Sequence, residues 1–506
     1  MDNPGRKRRV RAPARNLPWP SSADRKEQVK KLHSSWILAW ASAGLMAGVV
    51  LSLFSKDYFF AISWLVAGMG FLAMALINKR AALIIFALMG GLLIGLWRGT
   101  QAYPSREVYK NFINKTVDIS GTVSEDVAVG KDGQKQIKLK EIKLSGQSLN
   151  GQIWISTGST AHIKRSDRLQ INGKLSEGFG NFSAAMYRAE IVKVTRVKHG
   201  DVALEVRDWF SDKVRNAIKE PQASLGLGFL TGQHSELPES LVNNLRILGL
   251  THIIVASGYN LTILVRIARK WLMKVSKYTA TLGSSLLIIG FIMVTGSSPS
   301  MTRAGLITGL SLVAWYYGRK IHPMVLLPFS AALTALVNPA YLWGDLGWYL
   351  SFAAFAGVII LSPLLLDYFW GKEEPNAVLR VVVETFSAQV LTAPIIAFAF
   401  GQYAPLALLS NVLILPLIPV AMIFTFFAGM SAVFLGPLVA ITGWPAQLLL
   451  GYMTTVSNKL SALPNAKGEV IFPLPYLIAS YLFVIILCVW LWRRTGHDFT
   501  QDSVIE

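Results

Sequence analysis

The chain has 506 residues, of which 52% are hydrophobic and 15% charged, and its mean hydropathy is +0.43. That balance excludes a soluble globular domain and, with long apolar runs recurring along the chain, indicates a polytopic membrane protein. The net charge of +20 is in part topology, because Lys and Arg are retained on the cytoplasmic side, and the single cysteine, Cys488, excludes an intramolecular disulfide.

Residues 1–34 form a basic tail with ten Lys or Arg and three Asp or Glu. They read as a disordered cytoplasmic segment that fixes orientation, or as a docking arm for anionic lipid headgroups or nucleic acid. Within residues 35–98, three apolar segments at 36–54, 59–77 and 82–97 are each long enough, or nearly so, to cross about 30 Å of hydrocarbon. With the amino terminus inside, the third segment exits to the outer side.

Residues 99–200 are polar. They alternate with period two over 117–123, 137–144, 153–155, 169–171 and 191–194, which predicts a small antiparallel barrel of five short strands. Sixteen Lys or Arg and nine Asp or Glu lie between Gln101 and Gly200. Lys135, Lys138, Lys140 and Lys143 fall in or beside one strand-like run, and Trp154, Phe179, Phe182 and Tyr187 are nearby in sequence. This is either a backbone-tracking basic face with stacking aromatics or a solvated sheet surface over core rings.

Residues 201–250 begin with an amphipathic helix that carries Val202, Val206, Trp209, Phe210, Val214 and Ile218 near one face and ends at Pro221. Less hydrophobic helical material follows. Both are expected on the outer membrane surface. Residues 251–492 are nearly all membrane, and 493–506 form a second cytoplasmic tail. Basic residues at Arg266, Arg269, Lys270, Lys274 and Lys277, at Arg319 and Lys320, and at Arg493 and Arg494 place both termini inside. The expected fold is a polytopic α-helical protein with about 10–12 membrane helices and an extracytoplasmic β domain. Pro416, Pro419 and Pro445 interrupt apolar runs, as in helices that line a cavity. Gln389 and Asn411 sit well inside such runs and are candidate pore-lining groups, whereas Asp345 reads as a helix N-cap.

Two polar clusters mark the candidate site. In LRILGLTHIIVASGYNLTIL, residues 245–264, His252, Ser257, Gly258 and Asn260 stand at the entrance of a hydrophobic segment. In TGSSPSMTRAG, residues 295–305, Pro299, Ser300 and Arg303 stand between two more. Polar groups in or beside lipid are costly unless paired or wetted, which makes them functional candidates. A helix start, capped by Ser257 or Asn260 with Gly258 allowing close packing, explains the first cluster equally well.

Together the clusters resemble the membrane core of the ComEC-type DNA-internalisation competence proteins. That family typically shows Gly-Leu-x-His running into Ile-Ser-Gly-x-His, then Pro-Ser-x-x-Arg-Ala. The matching residues are Gly249, Leu250, His252, Ser257, Gly258, Pro299, Ser300, Arg303 and Ala304. Asn260 stands where the family usually has a second His, which leaves amide hydrogen bonding in place of any proton or ion chemistry of that His. The resemblance implies that residues 99–200 form an OB-like barrel. It also implies an inner-membrane channel for single-stranded DNA in natural transformation, located in the bacterial cytoplasmic membrane and not itself an enzyme.

Many such proteins carry a carboxy-terminal metallo-β-lactamase-like domain, but no His-x-His-x-Asp-His cluster and no G-x-x-x-x-G-K-[ST] motif occurs in this sequence. The expectation is therefore no metal, no cofactor and no motor in this chain. The expected partners are single-stranded DNA, membrane lipids, a cytoplasmic helicase or translocase, strand-binding proteins and a DNA receptor on the outer side, with any nuclease a separate protein. A transporter or flippase for another anionic polymer or lipid-linked glycan, and a non-transporting assembly protein, remain open readings of the same residues.

Overall fold

A computed structural model describes residues 34–54, 61–78, 84–130, 134–144, 146–196, 201–233, 237–254, 258–296, 299–318, 322–371, 375–434 and 439–499. The chain opens with three helices, α1 (Ser34–Leu51), α2 (Ala61–Asn78) and α3 (Ile84–Lys110). Glycines let α1 and α3 touch backbone to backbone. Gly44 and Gly48 face the carbonyls of Leu88 and Leu92, while Gly91 and Gly95 face those of Ala41 and Leu45. These contacts advance together along both helices, so α1 and α3 run parallel. Small residues spaced by four are the usual means of such close approach where lipid supplies no hydrophobic drive.

Helix α3 leads into a β domain of eight strands: β1 (Thr116–Val123), β2 (Ala128–Val129), β3 (Lys135–Leu144), β4 (Gln147–Leu149), β5 (Ile153–Thr157), β6 (Arg168–Glu177), β7 (Ala184–Met186) and β8 (Glu190–Thr195). Five of them close a ring in the order β1-β3-β5-β7-β6, with β6 returning to β1. Alternating apolar residues such as Ile119, Ile137, Leu139, Ile155, Leu169 and Ile171 fill its centre, and Tyr109 of α3 plugs in beside them. A purely antiparallel barrel, as the sequence predicted, cannot close with an odd number of strands. One pair must be parallel, and here it is β5 with β7, Ile153 opposite Ala184. Strand β7, reading Ala-Ala-Met, carries no β signal and was missing from the expected set. The five expected strands are all present, and the topology is that of an OB-like barrel.

The helices after the barrel differ most from expectation. They are α4 (Val202–Ala217), α5 (Gln222–Thr231), α6 (Glu239–Ile247) and α7 (Thr251–Ile254). The expected apolar face of α4 is split, because Val202, Val206 and Trp209 are exposed whereas Arg207 and Ser211 are buried with Leu204 and Val214. Helix α5 does not lie on a surface at all. Eight of its ten residues are buried, and Leu225, Leu227 and Phe229 belong to the largest apolar cluster, with Ile418, Met422 and Leu450. Amphipathicity read along one helix does not show that a polar stripe will be absorbed by ion pairs from another domain.

The remainder is helical: α8 (Gly258–Leu272), α9 (Lys277–Thr295), α10 (Pro299–Tyr316), α11 (Pro323–Val337), α12 (Leu346–Ala356), α13 (Ser362–Trp370), α14 (Ala377–Phe400), α15 (Ala407–Ile414), α16 (Ile418–Phe434), α17 (Val439–Ser461) and α18 (Leu474–Thr495). A wide turn at Gly357–Leu361 joins α12 to α13, and a tight one at Leu415–Leu417, around Pro416, joins α15 to α16. Among the described residues six helices are long and apolar enough to cross a membrane, counting α12–α13 and α15–α16 as one each, and α1, α2 and α11 are shorter apolar helices. The chain is thus a polytopic helical membrane protein with an OB-like domain.

Ion pairs, two of them through buried arginines, seat the barrel on this core. Arg165, in the β5–β6 connection, holds Asp201 at 2.9 Å and also donates to the carbonyls of Met293 and Val294 at the end of α9. Arg207 pairs with Asp126 of the β1–β2 connection, and Lys164 with Asp208 at 2.5 Å. Burial works to raise the Asp201 carboxyl. Hydrogen bonds from Arg165, the Leu204 N–H and Ser166, with the Arg165 charge, outweigh it and hold the group below its usual range.

A group whose folded pKa is depressed contributes stability above its unfolded pKa and loses it as pH falls through the folded value. The stability this pair contributes in detergent is therefore expected to be constant with pH near neutrality and to weaken below about pH 4. Asp201→Asn should lower Tm at neutral pH and flatten the acid limb; an unchanged acid limb would assign it to other carboxylates. Gly91→Leu, which drives a side chain into the Ala41 carbonyl, should destabilise the α1–α3 pair by about 1–3 kcal/mol, read as a fall in Tm.

Candidate functional site

The first cluster approaches the membrane core through a turn. Gly249 has φ +71°, and a Cβ there would meet the Cβ of Ala407 at 3.0 Å. Ser410 of α15 donates to the Leu248 carbonyl at 3.1 Å. His252 is exposed on α7, and its Nδ1 lies 3.1 Å from the Gly249 carbonyl. Ser257 lies outside the described residues. Gly258 opens α8, and a Cβ on it would meet that of Ala304 at 2.7 Å, so this glycine sets the crossing of α8 and α10. Asn260 is 1% exposed and donates through Nδ2 to the Phe229 carbonyl at 3.0 Å. That carbonyl belongs to the last turn of α5, where intrahelical partners run out.

The second cluster lies against the first. Pro299 opens α10, as proline does at a helix start, and Ser300 is half-buried beside it. Arg303 is the largest fully buried side chain, at 2% exposure. Its Nη2 donates to the Gly347 carbonyl at 2.9 Å, and its guanidinium lies 5.5 Å from the centre of the Phe352 ring. Nε and Nη1 have no hydrogen-bond partner. Asp345 and Tyr341 are close enough to act on its charge. Asp345 makes no ion pair with it; it caps α12 by accepting from the Trp348 N–H at 2.7 Å. Orphaned donors at such burial are rare in native structures and mark a strained or ligand-waiting group. Asn411 is buried with its Oδ1 unpartnered, as is the Oε1 of Gln389. Asn411 lies beside the Gly249 turn, because its neighbour Ser410 bonds there. Gln389, on α14, shares no described contact with the Arg303 cluster.

The barrel carries a second set. Trp154 lies 5.4 Å from both Phe179 and Tyr187, and Phe179 lies 5.3 Å from Phe182. Phe179 and Tyr187 are 45% and 54% exposed. Lys138 stands opposite Trp154 across β3 and β5, 6.0 Å from the centre of the Phe182 ring and 2.8 Å from Glu125. Three of the four lysines share one face. Lys135 is spent on the Ala161 carbonyl at 2.6 Å. Lys140 and Lys143 are exposed and stand opposite Thr122 and Ser120 of β1. The positive φ of Glu141, 54°, shifts the alternation by one residue, so that Lys138, Lys140 and Lys143 all point outward while Ile137, Leu139, Ile142 and Leu144 are buried.

One contact joins the two sets. The β6–β7 connection brings Gly180 against Gly344, such that a Cβ on Gly180 would lie 3.1 Å from the Gly344 carbonyl. Gly344 immediately precedes Asp345. The β1–β2 connection also meets the core, where Asp126 holds Arg207 of α4. These two connections edge the face by which OB barrels bind oligonucleotides. Sequence reasoning missed Gly180, Gly344 and Tyr341, because a glycine's value here lies in a partner more than 150 residues away.

Comparison with known proteins fits this arrangement. A family profile described as "Competence protein" matches residues 229–495, which include both polar clusters. The chain is similar to ComE operon protein 3 of Bacillus subtilis (strain 168), 24% identical over 285 residues, covering 54% of this chain and 35% of that protein. The aligned stretch thus spans about a third of the relative's length. No solved structure matches. On the extent of the profile match, just over half of its length, the chain belongs to the competence protein family.

Proposed function

We propose that the chain forms the path by which single-stranded DNA crosses the cytoplasmic membrane during natural transformation. The barrel lies outside and both termini lie inside. The observation that carries this reading is the junction at Gly180 and Gly344. The exposed rings of Phe179 and Tyr187, with half-buried Trp154, border the β6–β7 connection that touches Gly344. Gly344 immediately precedes Asp345 and stands three residues before Gly347, the carbonyl of which Arg303 holds.

Aromatic platforms beside cationic groups suit a flexible strand, because every base presents a stacking face and every phosphate a charge. Lys138 and the rings take the strand at the barrel, and Arg303 offers its two open nitrogens, Nε and Nη1, to a phosphate at the entrance. Asn260, Gly258, Ser300 and His252 line that entrance, with Asn411 at its edge. Lys140 and Lys143 continue the same outward face of β3. The inside-negative potential opposes each entering charge by about 2.3 kcal/mol per 100 mV. Inward movement therefore needs a cytoplasmic helicase, translocase or strand-binding protein, with an outer receptor to deliver the DNA and any nuclease supplied separately.

Two measurements test this. Phe179→Ala with Tyr187→Ala should weaken binding of oligo(dT) to the full chain in lipid nanodiscs by about 1–3 kcal/mol per lost stack, measured by fluorescence anisotropy; unchanged affinity would remove the aromatic face from the path. Arg303→Ala should abolish entry of labelled DNA into the cytoplasm while surface-bound DNA and protein level stay normal. Arg303→Lys separates lost charge from lost packing, and normal entry in both variants would defeat the role of Arg303.

A further inference from the structure

Helix α9 has its two ends in different surroundings. Its last turn is held at the barrel, where Arg165 donates to the carbonyls of Met293 and Val294. Its first residue, Lys277, lies roughly 25 Å away along the axis at about 1.5 Å per residue. There a tight turn over residues 273–276 returns the chain from the end of α8. The Ser276 N–H and the Thr279 hydroxyl both bond the Leu272 carbonyl, each at 3.3 Å, which fixes the turn.

This turn gathers two cations on one ring. The Arg269 guanidinium lies 4.9 Å and the Lys277 ammonium 5.5 Å from the centre of the Trp315 ring of α10, and Lys277 is also 5.6 Å from that of Tyr316. The two charges are thus no farther apart than about a Debye length, ~10 Å. Retention of Lys and Arg on the cytoplasmic side explains how many cations stand at this end. It does not explain why two of them converge on one indole. Nor does it explain Lys277 at the start of α9, where the helix dipole disfavours a cation. Residues 240–344 include no Asp or Glu, and among the described residues no carboxylate pairs with Lys277. An anion from outside the chain, seated between Arg269 and Lys277, offsets all of these charges at once.

The surroundings say which anion. Tyr278, Leu282, Leu286, Ile289 and Met293 are all exposed, and their spacing by four and three places them on one face of α9. Helix α9 is long and apolar enough to cross a membrane, so this stripe faces acyl chains. It begins beside Lys277. Exposed Trp271 and Tyr317 flank the cations, as amphipathic rings do at headgroup depth.

We propose that the α8–α9 turn and Trp315 form a binding site for an anionic phospholipid in the leaflet opposite the barrel. The headgroup phosphate sits between Arg269 and Lys277, and an acyl chain follows the stripe from Leu282 to Met293. Basic sites between membrane helices hold anionic headgroups in this way. In the orientation proposed above this is the cytoplasmic leaflet, but the site stands whether or not a DNA strand crosses the core. A free phosphate would meet the same cations and leave the stripe unused.

The full chain, purified in a non-ionic detergent, is titrated with phosphatidylglycerol or phosphatidylcholine, and bound lipid is counted by native mass spectrometry. One phosphatidylglycerol held at least tenfold more tightly than phosphatidylcholine is the expected result; equal affinity overturns the site. Lys277→Gln, at an exposed position, should remove most of that preference, and Arg269→Gln with Lys277→Gln all of it. Lys270→Gln with Lys274→Gln removes as much charge from beside the pair and should leave the preference intact. An equal loss there reduces the effect to diffuse attraction and overturns the site. Trp315→Leu keeps every charge but removes the ring that gathers them, and should weaken phosphatidylglycerol binding several-fold; unchanged binding overturns the part given to the indole. Glycerophosphoglycerol, the headgroup without its chains, should compete only at about a hundredfold higher concentration. Competition at equal concentration assigns the cations to a free phosphate, and ready displacement by oligo(dT) assigns them to the strand; either overturns the lipid.

Discussion

An α-helix that stops leaves its last carbonyls without partners, and beside a membrane those carbonyls must be satisfied by protein. Arginines from elsewhere in the chain close two such ends on the side of the barrel. Arg98 of α3 donates to the carbonyls of Leu336 and Val337 at the end of α11. Arg165 of the barrel does the same for Met293 and Val294 at the end of α9. A cation at a helix C-terminus also complements the helix dipole. Because Arg165 simultaneously holds Asp201, the barrel, the start of α4 and the end of α9 cannot move independently. The placement of the aromatic face over the core follows from this constraint.

Arg303 belongs to the same group of buried guanidiniums but is left incomplete. Arg165 spends its donors on two carbonyls and a carboxylate. Arg303 has one carbonyl and one ring, with two nitrogens open. The one carboxylate acting on its charge, Asp345, is committed to capping α12. A buried donor without a partner costs about 1–3 kcal/mol, so an arginine kept in this state for packing alone would be a poor solution. A leucine-sized apolar residue would fill the space without that cost.

Legibility in the sequence followed locality. Four strands of the barrel ring, β1, β3, β5 and β6, announced themselves by alternation, because each buries one face on its own. Asp345 as a helix cap was readable for the same reason: its partner, the Trp348 N–H, is three residues away. The two polar clusters were recognisable as residues, and Gly258 against Ala304 brings them together. What could not be read was set by distant partners. The buried course of α5 depends on α16 and α17, and the inward face of α4 depends on Asp126 of the barrel. The state of the four lysines depends on a bulge at Glu141 that turns Lys143 to the face of Lys138 and Lys140, and on Glu125 and the Ala161 carbonyl taking Lys138 and Lys135. Charge pattern alone cannot tell a free lysine from a spent one.

The arginine site proposed for the strand, at Arg303, bears on how a polyanion could cross a low-dielectric layer. The cost of a buried charge falls steeply if an opposite charge or water accompanies it at each stage. A single cation at the entrance would bind the strand and hold it, because leaving would mean entering an uncompensated interior. Conduction therefore requires that the strand be held at Arg303 with moderate affinity only. Asn260 fits this requirement better than a protonated histidine would, because its amide already serves the α5 end and adds no second positive charge beside Arg303 to tighten the site.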